Sequence, residues 1–143
     1  MTGLASTRSG QALSLLRIVA ALLLLQHATA KLFGIPPSAV AFPPAMSLLW
    51  VAGVIELIGG LLLLVGLLSR PAAFLLSGEL AVAYWMVHAP KSPFPLVKQG
   101  EVAILLCFIF LLIAVAGPGP WSVDASIAKR GPRDREIEEP PLP

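Results

Sequence analysis

Four apolar stretches, about residues 12–33, 45–68, 72–88 and 96–116, take up most of the chain and constrain its fold more than any other feature. A bilayer's hydrocarbon core, about 30 Å thick, is crossed by roughly 20 apolar residues in a helix. In lipid the backbone must satisfy its own hydrogen bonds, which leaves helices or closed barrels. The stretches are continuous rather than alternating in polarity, which argues for helices over barrel strands. The expected fold class is therefore all-α, an integral membrane four-helix transmembrane bundle.

Breaks in the chain agree. Gly34, Pro36, Pro37, Pro43 and Pro44 separate the first two stretches, and Pro90, Pro93 and Pro95 separate the last two. Ser69-Arg70-Pro71 is a short connection, with Pro71 suited to the first turn of the next helix. Gly117-Pro118-Gly119-Pro120 closes the fourth. The expected organisation is a short N-terminal segment (1–11), one membrane domain (12–127) and a flexible, charged, Pro-rich tail (128–143). Composition supports a lipid-facing exterior. The chain is 57% hydrophobic and 13% charged, against about 45–50% and about 25% for soluble domains. A net charge of +2 gives no field suited to nucleic acid.

Placement of charge sets the expected topology. Residues 1–55 contain no acid, and five of the eight acids lie in the last twenty residues. Four crossings put both termini and the 69–71 turn on one side, with Arg8, Arg70, Lys129, Arg130, Arg133 and Arg135, and Arg17 nearby. Lys31, Lys91 and Lys98 fall on the other. The excess predicts cytoplasmic termini in a bacterial inner (cell) membrane. Ala28-Thr29-Ala30 mimics a signal-peptidase site, but Arg17 interrupts the apolar run before it and three more stretches follow, so the first stretch reads as a span.

Ionisable groups inside spans are expensive and point to function. Arg17, His27 and Lys31 share one stripe of the first helix when counted through Ala20 and Leu24. Glu56 and Glu79 sit near the middle of the second and third helices, and Gly53 and Gly60 lie close to the Glu56 face. Depth counting predicts a polar strip: Arg17 with Glu79, Glu56 with His27, and Lys31 with Glu101 and His88 near the outer surface. By ideal α geometry His88 faces away from Glu79, and joins only if the helix loosens before Pro90. The bland alternative is that buried charges fix helix register. Two histidines without a spaced carboxylate motif do not make a metal site. Cys107 reads as an inert buried thiol, and Trp50, Tyr84, Trp85 and Trp121 as interface anchors.

These residues carry a family resemblance. Leu16-Arg17-Ile18, His27-x-x-x-Lys31-Leu32-Phe33-Gly34, Glu56-Leu57-Ile58-Gly59-Gly60-Leu61, Gly66-Leu67-Leu68-Ser69-Arg70-Pro71-Ala72-Ala73, His88, Gly100-Glu101 and Gly117-Pro118-Gly119-x-Trp121-Ser122-x-Asp124 are similar to the pattern of the DoxX family of small bacterial membrane proteins. Ala28 departs from it, since Gly commonly follows the histidine there. The resemblance spans about residues 12–127 and implies four membrane helices. For some members it also implies association with oxidoreductase complexes or with thiosulfate and quinone chemistry. An oxidoreductase label would thus come by resemblance alone. The sequence holds no flavin, nucleotide or cysteine-pair motif, and a quinone is the cofactor to consider.

The expected function is a membrane subunit of a redox or thiol-stress complex, with a soluble oxidoreductase or sulfurtransferase as partner. The candidate site is Arg17, His27, Lys31, Glu56, Glu79, His88 and Glu101. A small transporter or proton pathway, and a scaffold with structural ion pairs, are the alternatives. Oligomerisation through small-residue faces stays open.

Overall fold

In the computed structural model the described residues are 2–91, 94, 95 and 100–130. All regular structure among them is helical: α1 (Thr2–Phe33), α2 (Leu48–Val65), α3 (Ser69–Ala83), α4 (Glu101–Ala116) and a short α5 (Val123–Arg130). A π-helical turn at Tyr84–His88 and a 3-10 turn at Ala89–Lys91 extend α3. Two helical stretches, Thr7–Phe33 and Leu48–Val65, are long and apolar enough to cross a membrane.

Boundaries follow local chemistry. The first stretch was expected to become helical at residue 12, yet α1 begins at Thr2. Its 32 residues make about 48 Å of helix at 1.5 Å each, more than the roughly 30 Å of hydrocarbon. Ser47 caps α2 by accepting the Trp50 N–H, so that helix starts at Leu48 rather than 45. It ends at Val65 rather than 68 because Gly66 turns left-handed at φ 74°. The Gly66 and Leu67 amides then bond back to Leu63 and Leu62, a Schellman ending. Pro71 lies in the first turn of α3, where its missing N–H costs nothing. The expected start of the fourth helix at 96–99 falls outside the described residues.

The π turn at Tyr84–His88 sits just ahead of Pro90. A proline nitrogen cannot bond to the preceding turn and its ring crowds that carbonyl. The ladder widens instead, and the Ala89 N–H reaches the Tyr84 carbonyl five residues back. His88 is the last residue of this turn.

α1 packs mainly on α2 and α3 mainly on α4, while α2 meets α3 and joins the two hairpins. Leu24, Leu63, Leu76, Phe110 and Ile113 are fully buried between them. A Cβ on Gly53 would strike Leu32, and one on Gly60 would strike Leu25, so both glycines admit α1 side chains within the same chain. The outer faces stay apolar: Leu22, Ile58, Phe74, Phe108 and Val115 are all exposed. A surface of that kind suits lipid rather than water.

Candidate functional site

Two polar assemblies occupy opposite halves of the helices. The first lies toward the end where α1 runs into the 34–47 connection. Lys31 Nζ donates to Glu56 Oε1 at 2.6 Å. The side chains are 13% and 3% exposed, so the pair is held away from solvent. Helical side chains lean toward their own N-terminus. α1 and α2 are antiparallel, so Lys31 leans inward and Glu56 leans outward, and the two converge. Depth counting from Cα positions alone put Lys31 too far out to find Glu56.

Glu79 on α3 is half-buried and within electrostatic reach of both Glu56 and Lys31. Glu56 Oε2 and Glu79 Oε2 are buried and have no hydrogen-bond partner among the described residues. The assembly therefore sets two carboxylates against one ammonium. Its two unpartnered carboxylate oxygens are both acceptors.

The second assembly closes the other end, where the α2–α3 turn, the end of α4 and α5 meet. Arg17 is 0% exposed. Its Nη1 donates to the Leu63 carbonyl at 2.6 Å and its Nη2 to the Trp121 carbonyl. The guanidinium thus caps the C-terminus of α2, where unpaired carbonyls carry the negative end of the helix dipole. Arg70 does the same for α4, donating from Nη1 to the Val115 carbonyl at 2.7 Å. Asp124 accepts the Leu68 and Ser69 amides, each at 2.9 Å, and so caps α3 from another part of the chain. Leu68, at the cap position itself, makes no side-chain cap bond. Partial burial pushes the Asp124 carboxyl up. The Ser69 and Leu68 amides and the nearby Arg17 charge outweigh that and hold it below its ordinary value.

The expected strip is redistributed. Arg17 does not meet Glu79; its partners are main-chain carbonyls. His27 does not meet Glu56; it is exposed, with Nδ1 2.9 Å from the Leu23 carbonyl. Relative to Arg17, position 27 is rotated by about 80° and position 28 by about 20° at 100° per residue. Ala28 is accordingly buried and His27 lies off the packed face. Lys31 does not serve the outer group; it pairs with Glu56. Glu101 is exposed at the start of α4. His88 is half-buried, stacks on Tyr84 at 6.3 Å between ring centroids, and borders Gly100. Of the seven candidates, Lys31, Glu56 and Glu79 come together.

Sequence reasoning gave Asp124 no role beyond a closing motif, and took Arg70 as topological charge. The available signal was Ser122-x-Asp124 directly after the Gly-Pro-Gly-Pro break, since an acid just past a chain reversal is placed to cap a neighbouring helix. Among the described residues no three His, Cys, Asp or Glu side chains group closely enough to hold a metal ion. Cys107 is partly buried, with Sγ 3.5 Å from Ser77 Oγ.

Comparison with known proteins agrees with the sequence pattern. The model of the DoxX family matches residues 12–89, which run from α1 to the turn after α3. The chain is 39% identical over 123 residues to a protein of Haemophilus influenzae (strain ATCC 51907 / DSM 11121 / KW20 / Rd) named "Uncharacterized protein", covering 82% of this chain and 92% of that one. No solved structure matches it.

Proposed function

The chain belongs to the DoxX family, and from that premise we propose that it is a multi-pass membrane subunit of a redox or thiol-stress complex, with Lys31, Glu56 and Glu79 as its binding centre. The observation that carries this is the pair of buried carboxylate oxygens, Glu56 Oε2 and Glu79 Oε2, left without hydrogen-bond partners among the described residues near the Lys31–Glu56 ion pair. Unsatisfied polar atoms in a low-dielectric interior are costly. A chain that only needed an anchor would gain nothing from them. The proposed partner is a soluble oxidoreductase or sulfurtransferase, and the proposed ligand a quinone or small sulfur compound.

Four crossings are part of this reading. Ser69–Lys91 is helical throughout once the π and 3-10 turns are included, which supports a third span. α4 has 16 residues, about 24 Å at 1.5 Å each, short of the bilayer core by only about one turn of helix. With cytoplasmic termini, Arg8, Arg17, Arg70 and Lys129 fall on the inner side, as the positive-inside rule favours.

The test is purification of the full chain in mild detergent, with identification of what accompanies it. A flavoprotein or sulfurtransferase recovered in fixed ratio supports the proposal. Recovery of the chain alone from cells grown under oxidative or sulfur stress counts against it. The same unpaired carboxylates favour a second reading, a proton pathway, because acids inside spans commonly relay protons. That reading expects proton flux in liposomes that Glu56→Gln abolishes.

A further inference from the structure

Between Lys31 and Glu56 the chain carries no charged residue, and its only polar side chains are Ser38, Ser47 and the Trp50 indole. The two residues that bracket this run pair with each other and are 13% and 3% exposed, so their charges are withdrawn from the surface. The 34–47 connection lies in the middle of the run and presents its apolar side chains outward. Ile35 is 70% exposed, Phe42 72% and Met46 77%, and Val40 is exposed with them. Held out into water, such side chains would forfeit the gain of burial.

Two of them stand where the backbone resists them. Phe42 (φ 53°) and Met46 (φ 62°) are left-handed, a region that bulky residues rarely enter and glycine enters freely. The same connection does use glycine at its third left-handed position, Gly34, with φ 66°. The Phe42 ring lies against Gly34 and gains that contact. Met46, at 77% exposure, takes almost nothing from packing within the chain.

The backbone of the connection is largely satisfied. Pro36, Pro37, Pro43 and Pro44 have no N–H. Gly34, Ile35 and Phe42 donate to the Ala30, Thr29 and Lys31 carbonyls, which ties the connection onto the end of α1, and Ala41 and Ser47 donate within it. A loop bonded in this way tolerates the edge of hydrocarbon, where unpaired donors are costly. Helix length puts it at that edge. α2 has 18 residues, about 27 Å at 1.5 Å each, and ends at a turn that presents the exposed Arg70. With one face of a core of about 30 Å at that turn, the other face falls within about 3 Å of Ser47. Any tilt of α2 brings the connection deeper.

We propose that the 34–47 connection is a membrane-docking loop, whose Ile35, Val40, Phe42 and Met46 side chains insert into the leaflet nearest the α1–α2 connection, and that the surface it fits is lipid of any headgroup charge. A protein interface is ringed by a polar rim, which this run does not supply. Interfacial segments that select anionic lipid add basic residues to their apolar face. This one adds none, so apolar area alone drives its insertion, and salt does not oppose it. The loop anchors this end of the α1–α2 hairpin and fixes the depth of the Lys31–Glu56 pair in the bilayer. The inference goes beyond the redox-subunit reading and needs only that α1 and α2 cross the membrane.

Collision accessibility of spin labels tests it. Full chains carrying Ile35→Cys or Met46→Cys, each with Cys107→Ala, are labelled and placed in phosphatidylcholine nanodiscs. Oxygen concentrates in lipid, and a neutral nickel chelate stays in water. Ile58→Cys, on an exposed face of α2, gives the lipid reference, and Lys129→Cys the aqueous one. Labels at positions 35 and 46 should show an oxygen-to-nickel ratio several-fold above position 129 and close to position 58. Added phosphatidylglycerol or salt should leave that ratio unchanged. A ratio matching position 129 puts the loop in water and overturns the proposal. Protection from both reagents overturns it in favour of a second copy or another protein over the loop, and a ratio that rises only with phosphatidylglycerol overturns the charge-independent insertion. The two labelled chains are independent, so misfolding of one leaves the other to decide. Partner recovery on purification is a separate readout, so this inference and the redox-subunit reading fail separately.

Discussion

At the residue scale, the same kind of side chain does different work according to what surrounds it. Arg17 and Lys31 sit on one helix, yet Arg17 ends a helix and Lys31 balances an acid. Arg17→Met leaves the Leu63 and Trp121 carbonyls without their charged donor. Hydrogen bonds to charged groups are worth about 1.5–3 kcal/mol each at most, so a loss of about 2–3 kcal/mol is expected, measured by thermal unfolding in detergent. His27→Ala should stay within about 0.5 kcal/mol of wild type, as surface changes do. That residue also shows where sequence reading stops. The spacing 17, 20, 24, 27, 31 is a helical stripe, but so is 17, 21, 24, 28, 31, and both pass through Arg17 and Lys31. Only the folded structure, which buries Ala28 and exposes His27, chooses between them. Glu56 and Glu79 were legible because an acid in an apolar run has few reasons to be there. The partner of Glu56 was not, because it depends on the lean of two antiparallel helices.

At the element scale, the α2–α3 turn depends on a residue from the far end of the chain. Gly66 has φ 74°, and a Cβ there would collide with Arg17 and Ser122. Gly66→Ala should cost on the order of 2 kcal/mol or more, combining left-handed strain with that collision. Asp124→Ala should cost about 1 kcal/mol as a lost helix cap. The two sites share neighbours, so their effects will not add. Asp124 also brings a pH dependence. Its folded value lies below the unfolded one, so its contribution is present above the unfolded carboxylate value of about 3.9 and lost as pH falls through the folded value. Melting temperature should therefore drop as acid is added below about pH 4, and drop less in Asp124→Asn. The breaks between helices were readable from Gly and Pro. The trans cap was not, since Asp124 lies 56 residues from Leu68 and no local pattern joins them.

At the scale of the whole molecule, lipid decides the outside and charge decides the inside. All-helical architecture could be read from the apolar runs, because hydrocarbon admits only helices or closed barrels and continuous rather than alternating runs exclude barrel strands. How the helices pair could not, since each helix is apolar on several faces and periodicity does not single one out. The proposed topology makes a direct prediction. Reporter fusions after Arg130 and at the 69–71 turn should both report cytoplasm, and a fusion within the 34–47 connection should report the opposite side. A turn and a C-terminus on different sides would remove one crossing and the topology with it.

The Arg17–Trp121 bond joins positions 104 residues apart in sequence. During synthesis the first helix is made long before Trp121 is translated. Its buried guanidinium then has only part of its acceptor set, even after α2 arrives with Leu63. Assembly of this end is therefore timed by the last part of the domain to leave the ribosome. A chain lacking residues beyond α4 leaves the buried Arg17 guanidinium without the Trp121 carbonyl.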